Sequence, residues 1–351
     1  MSGESGGIMS QRIRCRRDAM SDMMEPPIGR RGRENQVLSA NGKPILVIVE
    51  GKEIDTMVDA GLEAIGGLGR IIMNSRQVLL KPNTNQREPF PSITAPETMR
   101  AVARHCRAAG VERIIVHEDH KSELDLYYDP KELPGMEIQL SHSPSVNDYV
   151  LVKHGDWHGD MDIDAAVNDI ENNPWVKRIL GTGVLRTEGR CLRVARQVQE
   201  ATVIINMPVL KRHFVGQITS ALKNHFGSVY GLHRWLAHSS LQKNRDYFDR
   251  KLAEFASAVR PELTITDVRS LQAVFGPMRN TDTRIIEGVN RLIISGDMIA
   301  ANVVAMQLMK QYDDTFTLAN ETIVRRQHEH AEELGLGTSD LSQLEVIEIK
   351  V

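Results

Sequence analysis

Hydrophobic and polar positions change period along most of the chain, and this predicts strands that alternate with helices. The runs PILVIVEG (44–51), QVLLKPN (77–83) and VERIIVHED (111–119) are short and rich in branched apolar residues, as buried strands are. Between them, EIDTMVDAGLEAIGGLGRII has helical spacing, and TAPETMRAVARHCRAAG carries helix signals at both ends. In that second helix we expect Thr94 to cap the first turn and Glu97 to complete a capping box.

The alternation resumes in the second half of the chain. ATVIINMPVL (201–210), ELTITD (262–267), RLIISGD (291–297) and the final LEVIEIKV are predicted strands. GQITSALKNHFGSVYG, YFDRKLAEFASAV and MIAANVVAMQLMK have the spacing of helices. This order predicts an α/β fold with a largely parallel sheet, helices on both of its faces and an insertion between strands.

Two regions without this pattern set the predicted domain boundaries. Residues 1–40 are rich in arginine, and no apolar segment follows either arginine pair, so we expect a disordered basic tail rather than an export signal. Residues 121–200 have short apolar runs and the acidic stretch HGDWHGDMDIDAAVNDIENN, which predicts an insertion or subdomain. The remainder, residues 41–351, is expected to form a single α/β domain around that insertion.

Composition and charge narrow the range of partners. The 351 residues carry a formal net charge of −3 and only 5% aromatic residues, which argues against nucleic acid. No apolar run is long enough to span a membrane, so no membrane partner is expected. The three cysteines, Cys15, Cys106 and Cys191, form no CxxC pair, which predicts a reduced cytoplasmic setting and no four-iron cluster held by the chain itself.

Polar side chains stand at the ends of several predicted strands. Ligands of open α/β sheets bind beyond the carboxyl ends of the strands, where loops and helix N-termini meet. Lysines beside apolar strand ends need an anion to balance their charge. The sequence therefore predicts an anion-binding site at this edge of the sheet. The strand-end residues are Lys81, Asn83, His117, Glu118, Asp119, Asn206, Lys211, His213, Asp267 and Asp297.

The segment after Pro208 adds further candidates. In its predicted helix, Thr219 and Lys223 lie one turn apart on a face beside the apolar stripe. Gly227 and Gly231 remove side chains where a ligand or another backbone needs to approach closely.

The same residues carry a resemblance to a known family. The stretches VLLKPN, INMPVLKRH, ITSALKNHFGSVYGLHRW, AHSS and ITDV…GP resemble the domain-of-unknown-function family 362, over about residues 44–310. The resemblance implies an α/β core without an established activity. Carried onto this sequence, the polar positions of that family are Lys81, Asn83, Lys211, His213, Thr219, Lys223, Asn224, His238, Asp267 and Asp297.

The chain departs from this family in three ways. Many members carry a ferredoxin-like segment with cysteines for two four-iron clusters, and some carry twin-arginine signals, whereas this chain has no cluster cysteines and no export signal with an apolar region. Asn302 stands where members tend to have a second aspartate after the one that Asp297 matches. Electron transfer through a cluster of its own is therefore not carried over.

The first functional hypothesis is an enzyme that acts on a small carboxylate or phosphate by acid–base chemistry of the isomerase or lyase type. His213, Lys211 and Asp267 are the predicted catalytic residues. His213 would be the general acid or base, because both of its forms are within reach near neutral pH, Lys211 would supply positive charge, and Asp267 would fix the histidine tautomer or serve as a second acid–base group. The predicted substrate-binding residues are Lys81, Asn83, Thr219, Lys223, Asn224, His238 and Asp297.

Two other hypotheses stay open. The 12 histidines and the acidic stretches VHEDH and KHGDWHGDMDID are compatible with a divalent metal, although no HExxH spacing is present. The chain is alternatively a non-catalytic binding module or a partner of a separate iron–sulfur redox protein, and a homo-oligomer is compatible with each hypothesis. The metal hypothesis draws on His117, Asp119, His120, His154, Asp156, His158 and Asp160.

Overall fold

A mostly parallel, 11-stranded sheet forms the centre of the fold. The structure is a computed structural model, and it describes Arg30 and residues 33–84, 88–120, 128–142, 146–153, 191–239 and 245–351. In chain order the strands are β1 (Ile45–Glu50), β2 (Gln77–Pro82), β3 (Arg113–His120), β4 (Glu137–His142), β5 (Tyr149–Lys153), β6 (Cys191–Ala195), β7 (Ile204–Met207), β8 (Val209–His213), β9 (Gln217–Thr219), β10 (Leu263–Ala273), β11 (Arg284–Ile286), β12 (Arg291–Ser295) and β13 (Glu345–Lys350).

Strand direction decides which loops meet. The main order is β13, β1, β12, β10, β7, β2, β3, β4. Neighbours are parallel except at β12, which runs antiparallel to both β1 and β10. β8 runs parallel to β10 and pairs with β9, and β5 and β6 form a separate two-stranded sheet. The carboxyl ends of β2, β3, β7 and β10 therefore share one edge, while β12 ends at the opposite edge.

Helices cover both faces of the sheet, as predicted. Successive strand residues point to opposite faces, so Leu79 packs in one core and Leu80 in the other. The first three helices bury residues in the Leu80 core, and the remaining five bury residues in the Leu79 core. In chain order the helices are α1 (Ile54–Ala64), α2 (Gly69–Ile72), α3 (Pro96–Ala108), α4 (Arg196–Glu200), α5 (Gly231–Ser239), α6 (Arg245–Val259), α7 (Met298–Tyr312) and α8 (Leu318–Glu333).

The helix predicted over GQITSALKNHFGSVYG is wrong. This segment begins with β9, which pairs Thr219 with Lys211, and continues into a short 3₁₀ helix over Lys223–Ser228. The apolar residues match a helical stripe, but four consecutive side chains, Lys223, Asn224, His225 and Phe226, are all buried. A single stripe of an α-helix does not bury four successive side chains, so tertiary contacts decide the local structure here.

The predicted cap of α3 is also wrong. Its N-cap residue is Ala95, without a side-chain cap, and Pro96 occupies the first turn. The Thr94 hydroxyl instead donates to the carbonyl oxygen of Met207 at 2.6 Å and accepts from the backbone N–H of Asn83 at 2.8 Å. Thr94 therefore joins the ends of β2 and β7.

The two regions outside the regular pattern are described in part. At the end of the predicted tail, Arg30 is buried and pairs with Glu262 at 2.5 Å, and Val37 is buried in the Leu80 core. Within residues 121–200, β4 extends the main sheet, and β5 pairs with β6. Residues 1–29 and 154–190 lie outside the described residues.

In the described part of the chain, no helix is both long and apolar enough to cross a membrane.

Candidate functional site

A buried ion pair lies at the carboxyl ends of β2 and β3. Lys81 is fully buried, and its Nζ donates to Glu118 Oε2 at 2.8 Å and to the carbonyl oxygen of Pro82 at 2.9 Å. The 3₁₀ helix covers the pair with Gly227, where an added Cβ would lie 1.9 Å from Glu118 Oε1. Only a glycine allows the backbone to approach the carboxylate this closely.

Three asparagine side chains continue the network from this pair. Asn224 Nδ2 donates to the carbonyl oxygen of Lys81 at 3.1 Å and to Asn206 Oδ1 at 2.8 Å. Asn83 Nδ2 donates to Asn224 Oδ1 at 3.0 Å, and Asn206 Nδ2 donates to the carbonyl oxygen of Ala221 at 3.0 Å. Each amide therefore donates and accepts in a fixed direction, which orients the whole chain of side chains.

Lys211 ends this chain in a different environment. Its Nζ is fully buried and donates to Asn83 Oδ1 at 2.8 Å and to the carbonyl oxygen of Ser92 at 2.6 Å, both neutral acceptors. No carboxylate of the described residues forms an ion pair with it within 4.0 Å. Burial lowers the pKa of Lys211 to about 7, an effect that Glu118 and Glu88 oppose and Arg279 reinforces.

His213 lies two residues further along β8, on the same face of the strand as Lys211. Its Nδ1 accepts from the backbone N–H groups of Val215 and Gly216, each at 3.1 Å. The neutral ring therefore carries its proton on Nε2, which makes Nε2 a hydrogen-bond donor. His238 stacks near this ring, with the two centroids 6.4 Å apart.

Lys223 belongs to the same aromatic surroundings. Its Nζ lies 3.4 Å from the centre of the Phe226 ring, and the edge of that ring contacts His238 at 5.1 Å between centroids. A cation over an aromatic face is stabilised by the ring quadrupole. Thr219, opposite Lys211 in the β8–β9 pairing, is buried next to these groups.

Asp267 is bound by α3 and by its own strand rather than by the Lys211 network. It shares a face of β10 with Ile265, which packs in the Leu80 core. Its carboxylate accepts from Thr98 Oγ1 of α3 at 2.6 Å and from Arg269 Nη2 at 2.8 Å. Its hydrogen bonds within the described residues do not reach Lys211 or His213.

Asp297 lies at the opposite edge of the sheet from Lys81, because it follows the antiparallel strand β12. The strand-end prediction therefore fails for this residue. Its Oδ1 accepts from the backbone N–H of Ala300 at 2.8 Å and caps α7, while Oδ2 accepts from the N–H of Thr338 at 3.0 Å. Burial raises the pKa of Asp297 to about 6.

The structure adds two histidines to the surroundings of Lys81. His117 and His225 are fully buried, and neither ring nitrogen of His225 has a hydrogen-bond partner among the described residues. Burial and then the charge of Lys81 lower the pKa of each ring to about 3, so both are neutral. His117, Glu118 and Asn206 are strand-end residues of the sequence prediction, and His225 lies in the stretch ITSALKNHFGSVYGLHRW that carries the family resemblance.

Among the described residues, no group of three His, Cys, Asp or Glu side chains is placed so that it could hold a metal ion. Asp119 instead accepts from the hydroxyl of Tyr149 and from the guanidinium of Arg234. His154, Asp156, His158 and Asp160 lie outside the described part of the chain.

The fold and this edge define an α/β protein with a buried lysine–asparagine network beside a histidine. The chain belongs to the family described as Domain of unknown function (DUF362), whose model matches residues 78–307. This confirms the resemblance found in the sequence. A curated relative is a thylakoid-associated protein of Synechocystis sp., which is 26% identical over 263 residues, covering 71% of this chain and 68% of the relative.

Two solved structures are remotely similar to this chain. One is a protein from Thermotoga maritima with 11% identity and a TM-score of 0.44, over 75% of this chain and 60% of that protein. The other is the lactate racemase apoprotein from Thermoanaerobacterium thermosaccharolyticum, with 11% identity and a TM-score of 0.41, over 76% of this chain and 59% of that protein. The chain thus spans less than two thirds of either structure's length, and we base no function on these likenesses.

Proposed function

We propose that the chain is an enzyme that binds a small carboxylate or phosphate at the carboxyl edge of its sheet and transfers a proton there. The observation that carries this proposal is the environment of Lys211, a fully buried amine whose two hydrogen-bond acceptors are neutral. In this proposal Lys211 is both the anion-binding group and the acid–base group.

The charge at Lys211 supports binding of an anion. Removing an ammonium group from water costs several kcal/mol unless an opposite charge lies beside it. Glu118, one of the carboxylates that act on Lys211 electrostatically, is already paired with Lys81 at 2.8 Å. A bound carboxylate or phosphate would supply the missing charge and form charge-assisted hydrogen bonds with the ammonium group.

The pKa at Lys211 supports proton transfer. A pKa of about 7 leaves both the amine and the ammonium form populated at neutral pH. A catalytic acid or base works best when its pKa lies near the working pH. The ammonium form would bind the anion and give a proton to one carbon of the substrate, and the neutral amine left behind would take a proton from another carbon, a reaction of the isomerase type.

His213 has a donor role in this proposal. Because its Nδ1 accepts two backbone N–H groups, the neutral ring donates through Nε2–H, and this donor would stabilise negative charge that develops on the substrate. Lys223 adds positive charge beside His238 and Phe226. We assign no proton transfer to Asp267, since Arg269 and Thr98 hold its carboxylate.

Anion binding to the Lys211→Met protein tests the proposal. Small carboxylates and phosphate should raise the midpoint of thermal unfolding of the wild-type protein but not that of Lys211→Met. The exposed Lys52 provides the matched control, and Lys52→Met should keep the wild-type response. A bound carboxylate should also exchange carbon-bound protons with D₂O only in proteins that retain Lys211. Equal anion binding by wild type and Lys211→Met would refute the proposal.

The metal-dependent enzyme and the redox-partner module remain alternatives, and a cytoplasmic location remains a prediction. Elemental analysis of protein purified without a metal-affinity tag tests the metal-dependent alternative. About one equivalent of a transition metal that is lost in His213→Ala would favour metal chemistry over the lysine-centred reaction.

A further inference from the structure

An exposed apolar patch adjoins the Lys211 site. It consists of Phe214, which is 63% exposed, the half-buried Phe275 and the nearby loop residue Met278, which is 57% exposed. The rings of Phe214 and Phe275 are nearly parallel, at 8°, with centroids 6.5 Å apart. Phe214 also stacks on His213 at 5.4 Å. Stacked aromatic side chains beside a polar site are typical of a surface that binds a ligand.

The loop 275–279, which carries Phe275 and Met278, is hydrogen-bonded to the residue that follows β8. The backbone N–H of Phe214 donates to the carbonyl oxygen of Gly276 at 2.8 Å. A Cβ on Gly276 would lie 2.0 Å from the carbonyl oxygen of Arg212, so the two backbones are in close contact. The backbone therefore holds Phe275, the residue before Gly276, beside Phe214.

The same loop brings a second cation to Lys211. Arg279 Nε donates to Ser92 Oγ at 2.6 Å, and its Nη2 donates to the carbonyl oxygen of Pro89 at 2.9 Å. The carbonyl oxygen of Ser92 is also an acceptor of Lys211 Nζ, at 2.6 Å. One residue therefore holds both cationic groups.

The positive charges of Lys211 and Arg279 are only partly balanced by carboxylates. Within the described residues, no carboxylate forms an ion pair with Lys211 or Arg279 within 4.0 Å, and Arg279 lowers the pKa of Lys211. Glu88 and Glu118 act on Lys211 only from a longer range. An acidic group that reached both cations would relieve their repulsion and find the planar guanidinium suited to its oxygens.

We infer that the substrate class is a small amphipathic anion. Its acidic head, a carboxylate or a phosphate, binds Lys211 and Arg279, and an apolar body the size of an aromatic ring lies on Phe214, Phe275 and Met278. This inference rests on the proposed function and adds to it the chemistry of the rest of the substrate. Two contacts of the loop 275–279 carry it: Arg279 shares Ser92 with Lys211, and Gly276 binds the backbone of Phe214, which stacks on Phe275.

Matched ligands test the inference by isothermal titration of the full chain. The series is acetate against 3-phenylpropionate, phosphate against phenyl phosphate, and 3-phenylpropanamide as the neutral form. We expect the wild-type protein to bind the aryl member of each acidic pair about tenfold more tightly, since burying a ring face removes on the order of 50–60 Å² of apolar surface from water. The amide should bind at least tenfold more weakly than 3-phenylpropionate.

Variants locate the two halves of the ligand. Phe214→Ala should abolish the roughly tenfold preference for the aryl anion while leaving acetate binding unchanged, because only the apolar body contacts the patch. Arg279→Gln should weaken acetate and 3-phenylpropionate alike. Leu318, which is 75% exposed on α8, provides the control, and Leu318→Ala should bind every ligand as the wild type does.

The outcomes separate this inference from the proposed function. If acetate and phosphate bind but the aryl anions gain nothing, the inference is wrong and the proposed anion site stands. If no anion binds, the proposed function and the inference both fail. If Phe214→Ala only converts an oligomer to a monomer, the patch is an interface between copies of this chain, which also overturns the inference.

Discussion

The two buried lysines at the carboxyl edge of the sheet are alike in burial and differ in partners. Lys81 and Lys211 are both fully buried, and Asn83 and Asn224 link them through hydrogen bonds. Lys81 has a carboxylate partner in Glu118 at 2.8 Å, whereas Lys211 donates only to neutral oxygens. The first is a closed ion pair within the fold, and the second retains a charge that a ligand can complete.

This difference gives the two lysines different effects on stability. An ion pair inside a protein stabilises little on net, but it costs much to break, so Lys81 and Glu118 define how the ends of β2 and β3 meet the 3₁₀ helix. The unpaired amine at Lys211 is unfavourable for stability by itself. Such strain at one buried group is typical of a position that is maintained for binding or catalysis.

The largest expected effect comes from breaking the closed pair. Lys81→Met would leave the Glu118 carboxylate buried without its partner, which should lower the free energy of unfolding by about 3–5 kcal/mol. Urea unfolding of Lys81→Met, Glu118→Gln and the double variant measures the coupling free energy between the two side chains. The double variant should recover much of the loss, because both charges are then removed.

A surface ion pair provides the control for this experiment. Lys350 pairs with Glu50 at 3.1 Å, and the lysine side chain is 80% exposed. Lys350→Met should therefore cost less than about 1 kcal/mol. Equal losses for Lys81→Met and Lys350→Met would show that the buried pair has no special role.

The second effect is the pH dependence of stability that Lys211 produces. The unfolded lysine keeps its proton up to pH 10 or so, whereas the folded one loses it near pH 7, so the unfolded state binds more protons between these values. Over this range the wild-type free energy of unfolding should rise relative to that of Lys211→Met by about 1.4 kcal/mol per pH unit. The total is on the order of 4 kcal/mol across the window.

Urea unfolding at several pH values measures this difference directly. Below about pH 7 the two curves should run parallel, because Lys211 is then protonated in both folded and unfolded states. Lys211→Met also leaves Asn83 Oδ1 and the Ser92 carbonyl without a donor, which adds a pH-independent loss of about 1–3 kcal/mol. A pH-independent difference throughout would contradict the lowered pKa of Lys211.

The third prediction uses Asp297, which lies away from both lysines. Its pKa is about 6 in the folded protein, above its unfolded value of about 4, so the folded state binds more protons between these values. Wild-type stability should therefore fall by about 2–3 kcal/mol relative to Asp297→Asn as the pH rises from about 4 to 6. Anion binding at pH 7 should be the same in both proteins, and loss of binding in Asp297→Asn would restore this residue to the site.

Sequence reasoning identified the members of the lysine network because they follow parallel strands. Lys81 and Asn83 come at the end of β2 and Asn206 at the end of β7, and parallel neighbours must deliver such residues to one edge. Asp297 follows an apolar run that reads like the others, yet β12 is antiparallel. Strand direction depends on partners that are distant in the chain, so a local pattern cannot reveal it.

Other parts of the site have no local signal at all. The spacing of Ile218, Leu222 and Val229 fits a helix, and only the tertiary packing of the neighbouring polar side chains makes a strand and a 3₁₀ helix instead. Lys211 is held in part by the carbonyl oxygen of Ser92, and every residue has such an oxygen. The approach of Arg279 to that same residue likewise depends on the folded loop.

The smallest expected change in the free energy of unfolding comes from Gly227, and it tests whether the two lysines are coupled. A Cβ at this position would lie 1.9 Å from Glu118 Oε1 and 3.1 Å from Lys81 Nζ, so Gly227→Ala must displace the ion pair or the 3₁₀ helix. We expect a loss of about 1–3 kcal/mol in urea unfolding, the usual cost of overpacking. Gly69→Ala is the control, because a Cβ there meets no atom within 4 Å. If only Lys81 and Glu118 move, stability should still rise with pH above about pH 7 when Gly227→Ala is compared with Gly227→Ala/Lys211→Met. Loss of that pH dependence would instead show that the Lys81–Glu118 pair and Lys211 are coupled through Asn224.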